Sequence, residues 1–174
     1  MQFQSIIGQK ATKEQLVQMV QHNRLSHALL FLGKEGSGAL SLAMAFAQYI
    51  TCEKINGRQA ISNRQQAIEP SLFGETIENE NTQPQTTNYK PQTDSCGECP
   101  ACTKSNQLVH PDIHFSYPVI TKKPGEKPIS TDFIKEWREF ITLNPHGNVY
   151  DWLQFMGAEN KQGNITASEC NDII

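Results

Sequence analysis

A chain of 174 residues is long enough for one ordinary domain with a real core and too short for two comfortable ones. Its formal net charge of −3 and sequence pI of about 5.9 lack the basic excess of an autonomous nucleic-acid binder. No run approaches the ~18 apolar residues of a membrane span, and the opening MQFQSIIGQK lacks the charged-then-apolar order of a secretory signal, so the chain reads as cytoplasmic.

In chain order, residues 12–23 place Leu16, Met19 and Val20 at helical spacing, with Thr12 as the expected N-cap. HALLFLG, residues 27–33, is a short apolar run ending in glycine, which predicts a strand buried on both faces of a parallel sheet. A glycine loop follows, then ALSLAMAFAQYI (39–50), rich in good helix formers and free of Gly and Pro. From about residue 53 to 95, Asn, Gln, Thr, Glu and Pro dominate, too polar for a core, and the segment reads as a flexible insert. DIHFSYPVI (112–120) carries β-branched and aromatic residues and predicts a second strand, and TKKPGEKP a turn in which Lys122, Lys123 and Lys127 are solvated. STDFIKEWREFITLN (130–144) opens with a Ser/Thr/Asp cap and puts Phe133, Ile134, Trp137, Phe140 and Ile141 on one helical face. NPHGN breaks the chain before YDWLQFM, and Thr166 with Glu169 has the spacing of a final capped helix.

The glycine loop has a specific reading. In G-x-x-x-x-G-K-[ST], backbone amides wrap phosphates, the lysine neutralises them and the hydroxyl binds Mg²⁺. Gly33 and Gly38 hold the two fixed positions with Gly36 between them, but Ala39 and Leu40 stand where lysine and Ser/Thr belong. Lys34 is in the wrong place to substitute. Amides and helix dipole could still hold an anion weakly, but phosphoryl transfer of the usual kind is excluded. The glycines alone read equally as a tight strand-to-helix turn.

Five cysteines in a reducing setting are poor material for a disulfide framework, and three stand within seven residues. Cys96, Cys99 and Cys102 form two overlapping C-x-x-C units, a knuckle that brings thiolates to one tetrahedral zinc. The fourth ligand could be Cys52, His110 or Cys170; Cys52 is favoured because closing the long polar segment costs only logarithmically in chain entropy. Free thiols, a redox pair and an iron–sulfur cluster are the alternatives. Cys170 reads as an ordinary packing residue, His27 and His146 have no catalytic constellation around them, and His110 with Asp112 reads as a turn.

Taken together, IIGQ (6–9), RLSHALLFLG (24–33), the glycine loop, the cysteine cluster, HPD (110–112) and IS-x-x-x-IKEWREF (129–140) resemble the amino-terminal part of the bacterial clamp-loader subunits, delta-prime and gamma/tau of DNA polymerase III. The resemblance implies an α/β fold: an AAA+ type P-loop parallel sheet flanked by helices. Residues 1–174 would form a partial domain of that kind, with a zinc module over 52–102 holding the insert. It implies structural zinc on Cys52, Cys96, Cys99 and Cys102, and, through Ala39 and Leu40, a delta-prime-like stator without ATPase activity. Its partners would be the gamma/tau and delta subunits and, through the complex, the sliding clamp and primed DNA, with no membrane. The second nucleotide motif, sensor region, arginine finger, lid and collar would lie beyond Ile174, making the chain a fragment of its first domain. An ATPase motor subunit of the same family and a zinc-ribbon nucleic-acid binder are the competing readings.

Overall fold

The computed structural model describes residues 1–57, 92–121, 125, 127–158 and 161–172. A 3-10 turn, Phe3–Ser5, buries Phe3 and leads to helix α1, Lys10–Gln21. α1 begins before the expected cap: Gln9 takes the left-handed region at φ 52° ahead of it, so Thr12 lies inside the helix. The amphipathic reading holds, with Leu16, Val17 and Val20 buried. Helix α2, Ala39–Thr51, starts at Gly38 and buries Leu42, Ala45, Phe46 and Tyr49, the three- and four-residue spacing of one helical face. Helix α3, Pro100–Asn106, packs on α2 and buries Ala101, Cys102 and Ser105.

The second half is built around aromatic side chains. A 3-10 turn, Ser130–Phe133, runs into α4, Ile134–Leu143, which buries Trp137, Phe140 and Ile141. Helix α5, Val149–Phe155, buries Trp152, and a last helix, α6, covers Ala167–Asp172. The expected Ser/Thr/Asp cap at 130–132 is not formed by Ser130. Its hydroxyl accepts from the Tyr117 amide at 3.1 Å and donates to the Tyr117 carbonyl at 3.1 Å. The Tyr117 phenol in turn donates to the Ser130 carbonyl at 2.6 Å. The final cap is half present: the Glu169 amide donates to Thr166 Oγ1 at 3.4 Å, but the Glu169 carboxylate accepts from Ser116 at 2.9 Å instead of reaching back.

The expected sheet is the main correction. Among the described residues there is no strand. The segment DIHFSYPVI contributes one antiparallel bridge, Val119 with Asn164, closed by amide-to-carbonyl bonds of 3.2 and 3.1 Å. Among the described residues, residues 27–33 make no backbone hydrogen bond to another segment, and Leu30 and Leu32 are 86% and 88% exposed. Only Phe31 of this run packs, its ring 6.1 Å from that of Phe46. A strand needs a ladder at its edges and cover on its faces, and neither lies beside this run among the described residues. Residues 58–91, most of the expected insert, and Lys122 and Lys123 lie outside the described residues.

Candidate metal centre and glycine loop

Cys52 sits at the C-cap of α2, where the backbone leaves the helix at ψ 121°. Cys99 is the N-cap of α3, with Pro100 fixing the first helical position. Gly97 turns the chain between Cys96 and Cys99 at φ +76°, and a Cβ there would press on the Gln2 amide, so a side chain would be both strained and crowded. These local devices bring the four sulfurs of Cys52, Cys96, Cys99 and Cys102 within 4.8 Å of one another. Neither His110 nor Cys170 joins them: His110 Nδ1 accepts from the Asp112 amide at 3.1 Å, the expected turn, and Cys170 is exposed rather than packed.

The donor set suits a metal. A tetrahedron with Zn–S bonds of ~2.3 Å puts its sulfurs ~3.8 Å apart, and Cys96 Sγ lies 3.8 Å from Cys102 Sγ. Backbone amides of Cys96, Cys99 and Cys102 donate to the sulfurs of Cys52, Cys96 and Cys99 at 3.4, 3.3 and 3.4 Å, the hydrogen bonds that stabilise thiolates. Burial works against ionisation of Cys96, but the Cys99 and Glu98 amides and the Cys99 and Cys52 thiols bring it down to about 6. Burial pushes Cys102 up to about 12, with Cys99 and Cys52 adding to the rise against the Gly97 amide. Four sulfurs saturate a tetrahedral ion, leaving no position for substrate.

A polar lattice that sequence reasoning missed locks this region to the amino terminus. Asp94 accepts from the amides of Phe3, Gln4 and Ser95 at 3.0, 2.8 and 2.8 Å. Gln2 donates to the Ser95 carbonyl at 2.7 Å, and buried Gln48 donates to the Ser95 hydroxyl at 3.2 Å. The Tyr49 phenol donates to the Gln92 carbonyl at 2.9 Å. The only sequence signal was the TDS triplet before Cys96, a set of local cappers indistinguishable from the polar residues preceding it.

The glycine loop has the conformation its glycines allow. Gly36 and Gly38 take φ of 73° and 77°, and Gly38 opens α2. Gly33 begins the loop, and Gln9 holds it from α1 by donating to the Ser37 carbonyl at 2.7 Å. Ala39 and Leu40, the latter 39% exposed, occupy the first turn of α2 and bring neither an ammonium nor a hydroxyl to it. The loop borders a cavity of about 350 Å³ walled on the other side by Trp137, Trp152 and the turn over residues 145–149.

No helix among the described residues is long and apolar enough to cross a membrane. No curated protein and no solved structure matches the chain. Residues 8–76, which carry α1, the glycine loop, α2 and Cys52 but end before Cys96, match the family model described as DNA polymerase III, delta subunit. That match is a likeness of residues 8–76 to the delta-subunit family of DNA polymerase III.

Proposed function

We propose that this chain is part of the delta-prime, stator-type subunit of the DNA polymerase III clamp loader: an interaction protein that does not hydrolyse ATP. The observation that carries the reading is the first turn of α2, where Ala39 and Leu40 replace the lysine and hydroxyl that charge neutralisation and Mg²⁺ binding require. The loop, turn and helix are kept as architecture. On this reading residues 1–174 belong to an AAA+-like domain, and ATP turnover belongs to gamma/tau neighbours. The partners are those subunits and delta, with sliding clamp and primed DNA reached through the complex in the cytoplasm. Cys52, Cys96, Cys99 and Cys102 hold a structural zinc that fixes the module carried on α2 and α3.

Native mass spectrometry with and without Mg-ATP tests both halves of the reading. One zinc and no nucleotide is the expected species. Stoichiometric ATP on the unmodified chain would replace the stator by a motor subunit of the same complex. Tight, salt-sensitive binding of DNA by the isolated chain would favour a nucleic-acid module instead.

A further inference from the structure

The four sulfurs of the cysteine centre differ in what can reach them. Cys52 and Cys102 are 0% exposed and Cys99 is 8% exposed, whereas Cys96 is only half-buried. Cys96 stands on the loop ahead of α3, where Gly97 turns the chain at φ +76°. Glu98 on the same loop pairs with Lys54 at 3.4 Å, which brings an ammonium to the loop's surface. A partly exposed sulfur in a locally positive setting is the kind that oxidants find first. Behind it, Cys102 Sγ lies 3.8 Å from Cys96 Sγ, and a disulfide needs ~2.05 Å. Cys102 is carried by α3, which packs on α2, so the closing movement falls to the loop that carries Cys96. Cys52 and Cys99 are engaged elsewhere: their sulfurs accept from the Cys96 and Cys102 amides, at 3.4 Å each.

We propose that Cys96 is a peroxide-oxidation site and Cys102 its resolving thiol, a pair that withdraws two of the four metal donors when it closes. The proposal goes beyond the structural-zinc reading and rests on it only for the metal. In the first step the Cys96 thiolate attacks one oxygen of hydrogen peroxide. An S–O bond forms, the O–O bond breaks, hydroxide leaves, and the sulfur is oxidised by two electrons to a sulfenic acid. In the second step the Cys102 thiolate attacks that sulfur, the S–S bond forms, the S–O bond breaks and a second hydroxide leaves. Two thiolates and one peroxide thus give one disulfide and two hydroxides. Cys52 and Cys99 alone cannot complete a tetrahedral site, so the module on α2 and α3 loses its closure. A dithiol reductant reverses the change by exchange at the new disulfide.

The test exposes the unmodified full chain to sub-millimolar hydrogen peroxide and follows two readouts: zinc released to a chromogenic chelator, and disulfide linkage by mass spectrometry. Cleavage after Glu98 separates Cys96 from Cys99 and Cys102, and alkylation before and after reduction tells the latter two apart. The expected result is a Cys96–Cys102 linkage roughly tenfold more abundant than Cys96–Cys99 or any linkage to Cys52. Zinc should leave in step with it, and dithiothreitol with added zinc should reverse both. In Cys102→Ser the sulfenic acid on Cys96 has lost its resolving thiol, and its capture by dimedone should rise roughly tenfold over the unmodified chain. A predominant Cys96–Cys99 linkage overturns the proposal, as does oxidation confined to the exposed Cys170, or zinc release without a disulfide. A Cys96–Cys102 disulfide formed in a chain that carried no zinc at the outset overturns the zinc reading and leaves the oxidation site standing. The linkage map is read on the unmodified protein, so it decides the matter even where Cys102→Ser folds poorly.

Discussion

The two hydrophobic clusters of this chain solve the same problem with different materials. The first gathers the amino-terminal turn, α1, α2 and α3 around Leu16, Val20, Leu42, Phe46 and Tyr49, and includes the sulfurs of Cys52, Cys99 and Cys102. The second packs Tyr117, Phe133, Trp137, Phe140 and Trp152. There Tyr117 stacks on Trp137 at 4.0 Å and 10°, while Trp152 meets both rings edge-on at 5.3 and 5.1 Å. These are the offset-stacked and T-shaped arrangements that aromatic quadrupoles favour. The first region is closed by donor atoms from α2 and from a knuckle 44 residues further on, Cys52 to Cys96. The second is closed by ring area, with the Tyr117–Ser130 and Trp152–Pro118 hydrogen bonds set into it. Stability in the first should therefore hinge on metal, and in the second on shape.

The largest expected effect follows from that contrast. On the zinc reading, chelation or Cys99→Ser removes a metal of the kind that contributes on the order of ten kcal/mol in small zinc-dependent folds. Amide hydrogen exchange in α2 and α3 should quicken, while the near-ultraviolet circular dichroism of the Tyr117, Trp137 and Trp152 cluster persists. Collapse of both signals together would show one cooperative unit and dissolve the comparison. Unchanged metal content and unchanged amide exchange in Cys99→Ser would remove the cysteine site itself. The converse substitution, Trp152→Ala, takes a ring that is 1% exposed out of the second cluster and should cost ~3–5 kcal/mol. It should also free the Pro118 carbonyl that the indole N–H now reaches at 2.7 Å. Metal content should be unchanged, and loss of metal would mean that the second cluster supports the first.

Which parts of this were legible in the sequence depends on how local their causes are. The helical faces of α1 and α4 follow from side-chain periodicity, which puts Leu16, Val20, Phe133, Trp137, Phe140 and Ile141 in the core, where they lie. The cysteine knuckle is likewise local; the long closure from Cys52 costs only logarithmically in chain entropy, and the four sulfurs lie within 4.8 Å of one another. Strands are different, because an apolar run becomes a strand only through a partner ladder, and HALLFLG has none among the described residues. Caps failed for a related reason. Ser130 and Thr12 are good cappers by type, but Tyr117 claims the hydroxyl of one and Gln9 starts the helix ahead of the other. Asn148, passed over as part of a chain break, makes the one complete capping box among the described helices.

Tyr117 sharpens the contrast through pH. Burial raises its phenol above the ordinary tyrosine value, with the Glu136 and Glu169 carboxylates adding to the rise and Arg138 opposing it. An acid whose folded pKa is raised contributes stability that is complete below its unfolded value, ~10 for tyrosine, and is lost as pH climbs beyond that. Chemical denaturation of the protein should show stability falling above pH ~10. Tyr117→Phe should flatten that fall and cost ~1–2 kcal/mol at neutral pH, because the buried Ser130 carbonyl loses its donor. An alkaline slope unchanged by the substitution would assign the titration to another group.

The smallest effect is the most local. Asn148 accepts from the Asp151 amide, Asp151 accepts from the Asn148 amide, and the pair satisfies two donors that α5 would otherwise leave open. Asn148→Ala removes one half of the exchange and should cost ~1 kcal/mol. Hydrogen exchange should locate the loss at the Asp151 and Trp152 amides, with the amides of α2 and α3 unaffected. Asp151→Asn, which keeps an acceptor but loses the charge beside the helix amino terminus, should cost less than Asn148→Ala. A double-mutant cycle measures their coupling, which should be favourable because each side chain holds the other's backbone amide. Exchange that quickens instead around Cys96–Cys102 would place a brace between the two regions at this turn, and make their separation a matter of a single capping box rather than of two kinds of core.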